Sequence, residues 1–342
     1  MKTLFFLIAA LLASAVLTAH AASRPNDVAA YRALVAQDLR LATTGYRLAK
    51  ANAAFCKKRE RNPGWVIHDI GQYPDEATAK SAFGFPRPLA IAAVVSGGPA
   101  AQAGLHAGDA FVSWNGEGYD WSETVGSKQA AFRVQGFSNN LTKAWLSRAG
   151  QKFTLISDQA SDATVTTLAP SLVCASGFVI SSGSKADAGA DGRTVRVSAK
   201  LSEFAPGEDE FAAIVAHELA HNILEHRKQL DAARVKRGIG RMFGKSKKLI
   251  RQTEIEADRL SVWLMANAGY EPRGALRFIE RYGRKYGHGF FSDGTHYRWK
   301  KRMEIMAAEI DVMDKTQAGW RGYFPPLLKE KQIGDADLMA AK

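Results

Sequence analysis

The apolar positions change period several times along the chain, and each change predicts a change of element. A long apolar run, Leu4 to Leu17, interrupted only by Ser14, follows Lys2 and leads to Ala19-His20-Ala21. A charged start, a short apolar stretch and a small-residue site predict a secretory signal over 1–21, cleaved near Ala21. The alternative is an uncleaved anchor, for which a run of 14 residues is short. From Asn26 to Lys58, Leu34, Leu41, Leu48 and Phe55 recur every seven residues, predicting one face of a helix that Pro63-Gly64 ends. From there to about Pro88, turn residues and aromatics mix without a firm period.

At Leu89 the pattern becomes short apolar runs between glycine-rich turns: LAIAAVV, then SGGPAAQAGLHAGD, then AFVSWNG. Strand, short helix, tight turn and strand follow from it. A helical stretch over Asn139 to Arg148 and the strands KFTLIS and ATVTTLA come next. In this order the segment resembles a PDZ domain of the bacterial protease type. Pro99-Ala100-Ala101 would open the short helix, Ala103-Gly104-Leu105 end it, and Gly108-Asp109 turn into the next strand. The resemblance implies an extended peptide added to a sheet edge, with Phe83-Gly84-Phe85 as the candidate carboxylate-binding loop. A turn with two packed aromatics is the other reading of those three residues.

Pro170 to Cys174 reads as the return from this insertion. FVISS and RTVRVSA then read as two strands around the polar turn ADAGADG. Leu201 to Phe204 and Pro206-Gly207 lead into a helix opened by Glu208, Asp209 and Glu210, where the helix dipole favours acids. Phe211, Ile214, Val215 and Leu219 supply its buried face.

Composition adds limits. A chain of 342 residues accommodates two folded units, and 46% hydrophobic with 23% charged residues is the make-up of a globular protein. The pair Cys56 and Cys174, in an oxidising compartment, predicts a disulfide. The net charge of +12 suits an anionic partner, and much of it is local. Between Arg227 and Arg251 there are ten lysines and arginines against one acid, Asp231. Without a nucleic-acid-binding module nearby, an anionic membrane surface or an acidic substrate fits that stretch better than nucleic acid. Gly238, Gly240 and Gly244 in it suggest a mobile cover, and a solvated loop is the plain alternative.

The chemistry lies in HELAH, residues 217–221. On a helix His217 and His221 project from one side, the spacing of two Zn2+ ligands, and Glu218 is placed as general base toward a metal-activated water. Leu224 and Arg227 stand where a metzincin needs glycine and a third histidine. The third ligand must therefore come from elsewhere. In TEIEAD, Glu254 and Asp258 share a helix face while Glu256 is turned about 200 degrees from Glu254. Glu254 is the expected third ligand, and Asp258 the acceptor for a ligating histidine's distal N–H.

From about Cys174 to Met306 these elements resemble the gluzincin zinc metallopeptidases that include the CAAX prenyl endopeptidase, the HtpX protease and the periplasmic BepA-like proteins. The resemblance rests on DAGADG, HELAH, EIEAD and a downstream GTHYRWKKR. The last has Tyr297 where the family has proline. It implies that His296 lies near the metal as a gating or oxyanion-stabilising catalytic residue, with Arg302 nearby; a packing or capping histidine is the alternative. His226 and His288 carry no spacing argument and read as structural or exposed, and His68 and His106 fall outside the catalytic segments.

The expected fold class is thus α+β: a mainly helical zincin metallopeptidase domain with a small β-sheet, plus a β-rich PDZ-like domain. The expected divisions are a signal over 1–21, a helical segment over 22–82, the PDZ-like domain over 83–169, the metallopeptidase domain over 170–312 and a tail over 313–342. The expected function is an endopeptidase with one Zn2+ per chain, periplasmic or secreted, acting on unfolded or misassembled proteins. Its rivals are a PDZ-type chaperone or adaptor on a metal-bearing scaffold and a zinc amidase acting on cell-wall peptides.

Overall fold

The computed structural model describes residues 25–118, 125–148, 150–157, 162–181, 184–235, 244–287, 299–315 and 324–331; the expected signal lies outside them. The fold is mixed α+β. Its first helix, α1 (Pro25–Ala51), buries Leu41 and Leu48 of the seven-residue series, but Leu34, one repeat earlier, is exposed. It stops earlier than expected. Buried Asn52 donates to the carbonyls of Leu48 and Leu264, and a single 3-10 turn follows before the chain straightens at Cys56.

The region without a firm period is ordered. Strands β1 (Arg59–Asn62) and β2 (Trp65–Asp69) precede α2 (Glu76–Phe83). Helix α2 is capped by the Asp75 carboxylate, which accepts from the Thr78 N–H, and ended by Gly84 at φ 64, a left-handed position suited to glycine. Next come β3 (Leu89–Val94), α3 (Pro99–Gln102), β4 (Ala110–Trp114), β5 (Glu117–Gly118), α4 (Ser127–Ser147), β6 (Gln151–Ile156) and β7 (Thr164–Leu168). They form a six-stranded antiparallel sheet of order β2-β3-β4-β6-β7, with β5 on β4. Phe137, Leu141 and Trp145 of α4 pack on Ile67, Ile91, Phe111 and Phe153 in its core. The sheet unit thus begins at Trp65, not at 83, because β2 pairs with β3 along its length; and α4 begins well before the expected Asn139.

Strand β8 (Ser171–Cys174) returns antiparallel to β1, Arg59 opposite Cys174 and Asn62 opposite Ser171. This ribbon is the stem of the inserted sheet. A Cys56–Cys174 disulfide closes its base, spanning a sequence separation of 118, for which chain entropy allows roughly 4 to 5 kcal/mol.

Past the stem, β9 (Gly177–Ser181), β10 (Ala188–Ala190) and β11 (Thr194–Ser198) make a sheet of order β10-β11-β9. The two expected strands are β9 and β11, but they run parallel, and the polar segment between them contains β10. Asp191 closes the tight β10–β11 turn by accepting from the N–H groups of Arg193 and Thr194. Helices α5 (Ala199–Phe204), α6 (Glu208–Ile223), α7 (His226–Ala232), α8 (Gly244–Asn267), α9 (Arg273–Tyr286), α10 (Trp299–Lys315) and α11 (Pro326–Glu330) follow among the described residues. One core joins α1, α6, α8, α9 and α10 with β11. No helix among the described residues is long and apolar enough to cross a membrane.

The expected tail from 313 is partly core. Leu327 and Leu328 of α11 are buried, Phe324 meets Phe55 edge-on, and Glu330 pairs with Arg259 of α8. Leu328→Ala is therefore expected to lower the unfolding free energy by about 2–5 kcal/mol in urea titration, whereas a solvated tail would give a change within about 0.5 kcal/mol.

Candidate metal centre

Helix α6 is fixed from its first turn. Arg40 of α1 pairs with Glu208, donates to the carbonyls of Ser202 and Ala205, and lies over the Phe211 ring. Arg281 of α9 pairs with Glu210, and Asp209 accepts from the Glu271 N–H. Every position from Phe211 to Ala220 is buried, so its two histidines emerge into the protein, facing α8. His217 Nε2 and His221 Nε2 lie 3.2 Å apart. Glu254 of α8 places Oε2 3.2 Å from His217 Nε2 and Oε1 3.6 Å from His221 Nε2.

His217, His221 and Glu254 offer three donor atoms within 4.8 Å of one another, a group able to hold a metal ion. Two imidazoles and one carboxylate fit a tetrahedral centre with one position open for water or substrate. Glu218 is buried beside His217, and its charge acts on Arg302 of α10. Turning the other way, Asn222 accepts from the Gly192 N–H and donates to the Ser176 hydroxyl, tying the β10–β11 turn and the start of β9 to the residue after His221.

Behind His217, Asp258 Oδ1 lies 3.0 Å from Nδ1, and Arg302 grips the same carboxylate through Nε at 2.8 Å and through a second, shorter contact. Asp258 and Arg302 are both fully buried. Burial alone would push the Asp258 carboxyl up, but the Arg302 charge and hydrogen bonds hold it below the usual carboxylate range. Burial likewise opposes charge on His217, yet its hydrogen bonds with Asp258 and Glu254 carry it up to about 9. Asp258 thus stands at the distal nitrogen of His217, and Arg302 stands behind Asp258.

Two residues passed over in the sequence join the cluster. Glu225 takes a left-handed conformation, φ 53, which breaks the helix and swings His226 back until its Nδ1 is 2.9 Å from His221 Nδ1. Its Nε2 is 3.1 Å from Glu256 Oε2, and Glu256 also accepts from Gln252 at 2.9 Å and Lys331 at 2.8 Å. Burial lowers the His226 pKa to about 4 against the pull of Glu256. Burial would raise Glu256, but those hydrogen bonds bring it down to about 2. On a continuous helix, His226 would lie about 140 degrees around from His221, so spacing alone hides it.

Other expected residues lie elsewhere. His296 and His288 fall outside the described residues, as do Gly238 and Gly240. Phe83-Gly84-Phe85 closes α2; Phe85 is buried and stacks on Phe83, which also meets Tyr31 and Tyr73. The two phenylalanines are packed as in the turn reading, while Gly84 and Pro86 keep exposure to solvent. A cavity of about 1120 Å³ instead lies between β2 and α4 on one side and β9 on the other, lined by Trp65, His68, Leu141, Trp145 and Val179. Comparison of the sequence with known family models and with curated proteins finds no match.

Raised to about 9, His217 carries a proton at pH 7 in the metal-free protein, and a ligating imidazole must lose it. Titration with Zn2+ is expected to release protons at pH 7 and fewer as the pH passes 9, read from calorimetry in buffers of different ionisation enthalpy. Glu254→Ala is expected to weaken Zn2+ binding by more than the roughly 10–100-fold that losing a supporting hydrogen bond costs. Unchanged affinity would remove Glu254 from the donor set.

Proposed function

We propose that the chain is an exported zinc-dependent endopeptidase of the gluzincin kind with an inserted PDZ-like domain. The observation that carries this reading is the convergence of His217, His221 and Glu254 from two packed helices, with the Glu218 carboxyl buried on the same helix. Zinc held by those three groups would supply Lewis-acid chemistry, acidifying a water and polarising a carbonyl. Glu218 takes the proton from the attacking water and delivers it to the leaving amine nitrogen. Asp258, gripped by Arg302, holds His217 in one orientation throughout.

A substrate strand has an edge to pair with. In the small sheet β11 is central, so β10 is the edge on the side of α6, which packs on both β10 and β11. An extended peptide paired along β10 would cross the donor cluster. The PDZ-like reading is supported by the antiparallel sheet with α4 on it and by the cavity along the free edge of β2. There a second stretch of an unfolded or misassembled protein would be held by main-chain hydrogen bonds. The signal expected near Ala21 would put this activity in the periplasm or outside the cell, and the basic stretch before Arg251 would suit an anionic membrane surface.

The cavity also favours the rival chaperone or adaptor reading, and one substitution separates the two. Glu218→Gln is expected to lower casein hydrolysis at least about 100-fold while zinc content and binding of unfolded casein persist. Hydrolysis at the native rate would end the endopeptidase mechanism, and absence of hydrolysis by the native protein on any unfolded substrate would leave the holding function.

A further inference from the structure

We propose that His226 and Glu256 are positioning residues for the metal centre, fixing the tautomer and ring orientation of His221 through a hydrogen-bonded line that ends on Lys331. The proposal rests on His221 being a metal ligand. Its Nε2 is the nitrogen turned toward His217 and Glu254, so Nε2 is the donor to metal and Nδ1 carries the proton. That Nδ1 faces His226 Nδ1 at 2.9 Å. Two ring nitrogens form a hydrogen bond only when one has the proton and the other the lone pair. His226 Nδ1 is therefore the acceptor, its own proton sits on Nε2, and Nε2–H points at Glu256 Oε2, 3.1 Å away.

Each atom along the line then has one role. A doubly protonated His226 would set two N–H groups against each other, so the line holds only with His226 neutral. Glu256, accepting from Gln252 and Lys331 as well, cannot swing away without giving up both. The two imidazoles meet edge to face, centroids 4.9 Å apart at 77°, which leaves His221 little freedom to rotate. The site thus supports its two histidines differently: His217 directly by the Asp258 carboxylate, His221 by a carboxylate acting through an intervening neutral imidazole.

Lys331 extends the line to the C-terminal segment. Glu330, the residue before it, pairs with Arg259 of α8, so this segment is held to α8 at Glu256 and Arg259, just past Glu254. The support of a metal ligand on α6 is in this way anchored by a helix more than a hundred residues later in the chain.

The test uses the full mature chain, with Zn2+ affinity measured by competition against a chromophoric chelator and the visible spectrum of the Co2+ form as a report of ligand geometry. His226→Ala is expected to weaken Zn2+ binding roughly 10–100-fold and to shift the Co2+ bands, with partial recovery in His226→Gln, whose amide oxygen can accept from His221. Glu256→Gln, which keeps the side-chain volume, is expected to weaken binding less, and to add nothing in the His226→Ala background because it acts through His226. Affinity within about twofold of native together with an unshifted Co2+ spectrum in a folded His226→Ala would overturn the proposal, as would full additivity of the two changes. If His226→Ala fails to fold, unchanged affinity in Glu256→Gln overturns it instead. His221→Ala separates this from the reading beneath it: retained Zn2+ binding there would refute the metal centre itself, whereas loss there with no loss in His226→Ala refutes only the relay.

Discussion

A guanidinium and a carboxylate with almost no access to water hold this structure's helical half together. Arg302 and Asp258 are 2% and 1% exposed, and each has given up its hydration for the other and for His217. Burying such a pair contributes little net stability, because desolvation offsets most of the attraction, but removing one partner strands the other at a cost of about 3–5 kcal/mol. Its effect is therefore on geometry. Arg302 comes from α10, Asp258 from α8 and His217 from α6, so the contact sets three helices at one depth and rotation. Glu254, one turn before Asp258 on α8, is brought opposite the histidines by the same constraint.

The rest of the chain can be understood as packing that keeps those three helices fixed while leaving strand edges free. The β1–β8 ribbon and its disulfide confine the inserted sheet to one stem. The small sheet is anchored to α6 by Asn222, whose two hydrogen bonds reach both the β10–β11 turn and the residue before β9. Its edges then open on different sides: β10 beside α6, and β9 onto the cavity it shares with β2. One small sheet thus lies between α6 and the cavity.

What the sequence made legible follows from period. His217, His221, Glu254 and Asp258 lie on unbroken helices, where a spacing of four determines the shared face, and the structure brings them together. Cys56 and Cys174 were a pair by count, and they are bonded. Where a break or a long-range contact decides the outcome, the period fails. His226 reaches His221 only because Glu225 adopts a left-handed backbone. Glu256 was set aside for pointing away from Glu254, and it does, toward a partner that the break delivers. Strand β2 was lost among turns because its pairing with β3 is non-local, and β10, only Ala-Gly-Ala, has no alternation to read. Helix α2 had a signal in Asp75 and Gly84, an N-cap and a left-handed C-cap, but eight residues are too few for a period to show.

The uneven exposure of the donor set gives the two kinds of histidine support a common logic. The His217 side chain is 6% exposed, Glu254 11% and His221 15%, so the cluster is driest on the side of Arg302 and most open at His221. On the dry side a full carboxylate charge can stand directly behind the ligand, because Arg302 neutralises it there and water does not compete. Behind His221 the support is also buried, but there His226, 1% exposed, stands between the ligand and the Glu256 carboxylate. A neutral imidazole between His221 and Glu256 keeps the orientation and moves the charge one ring farther back, where Gln252 and Lys331 hold it. In the proposed metal centre, one ligand thus has a charged support directly behind it, and the other an uncharged one with the charge set one ring farther back.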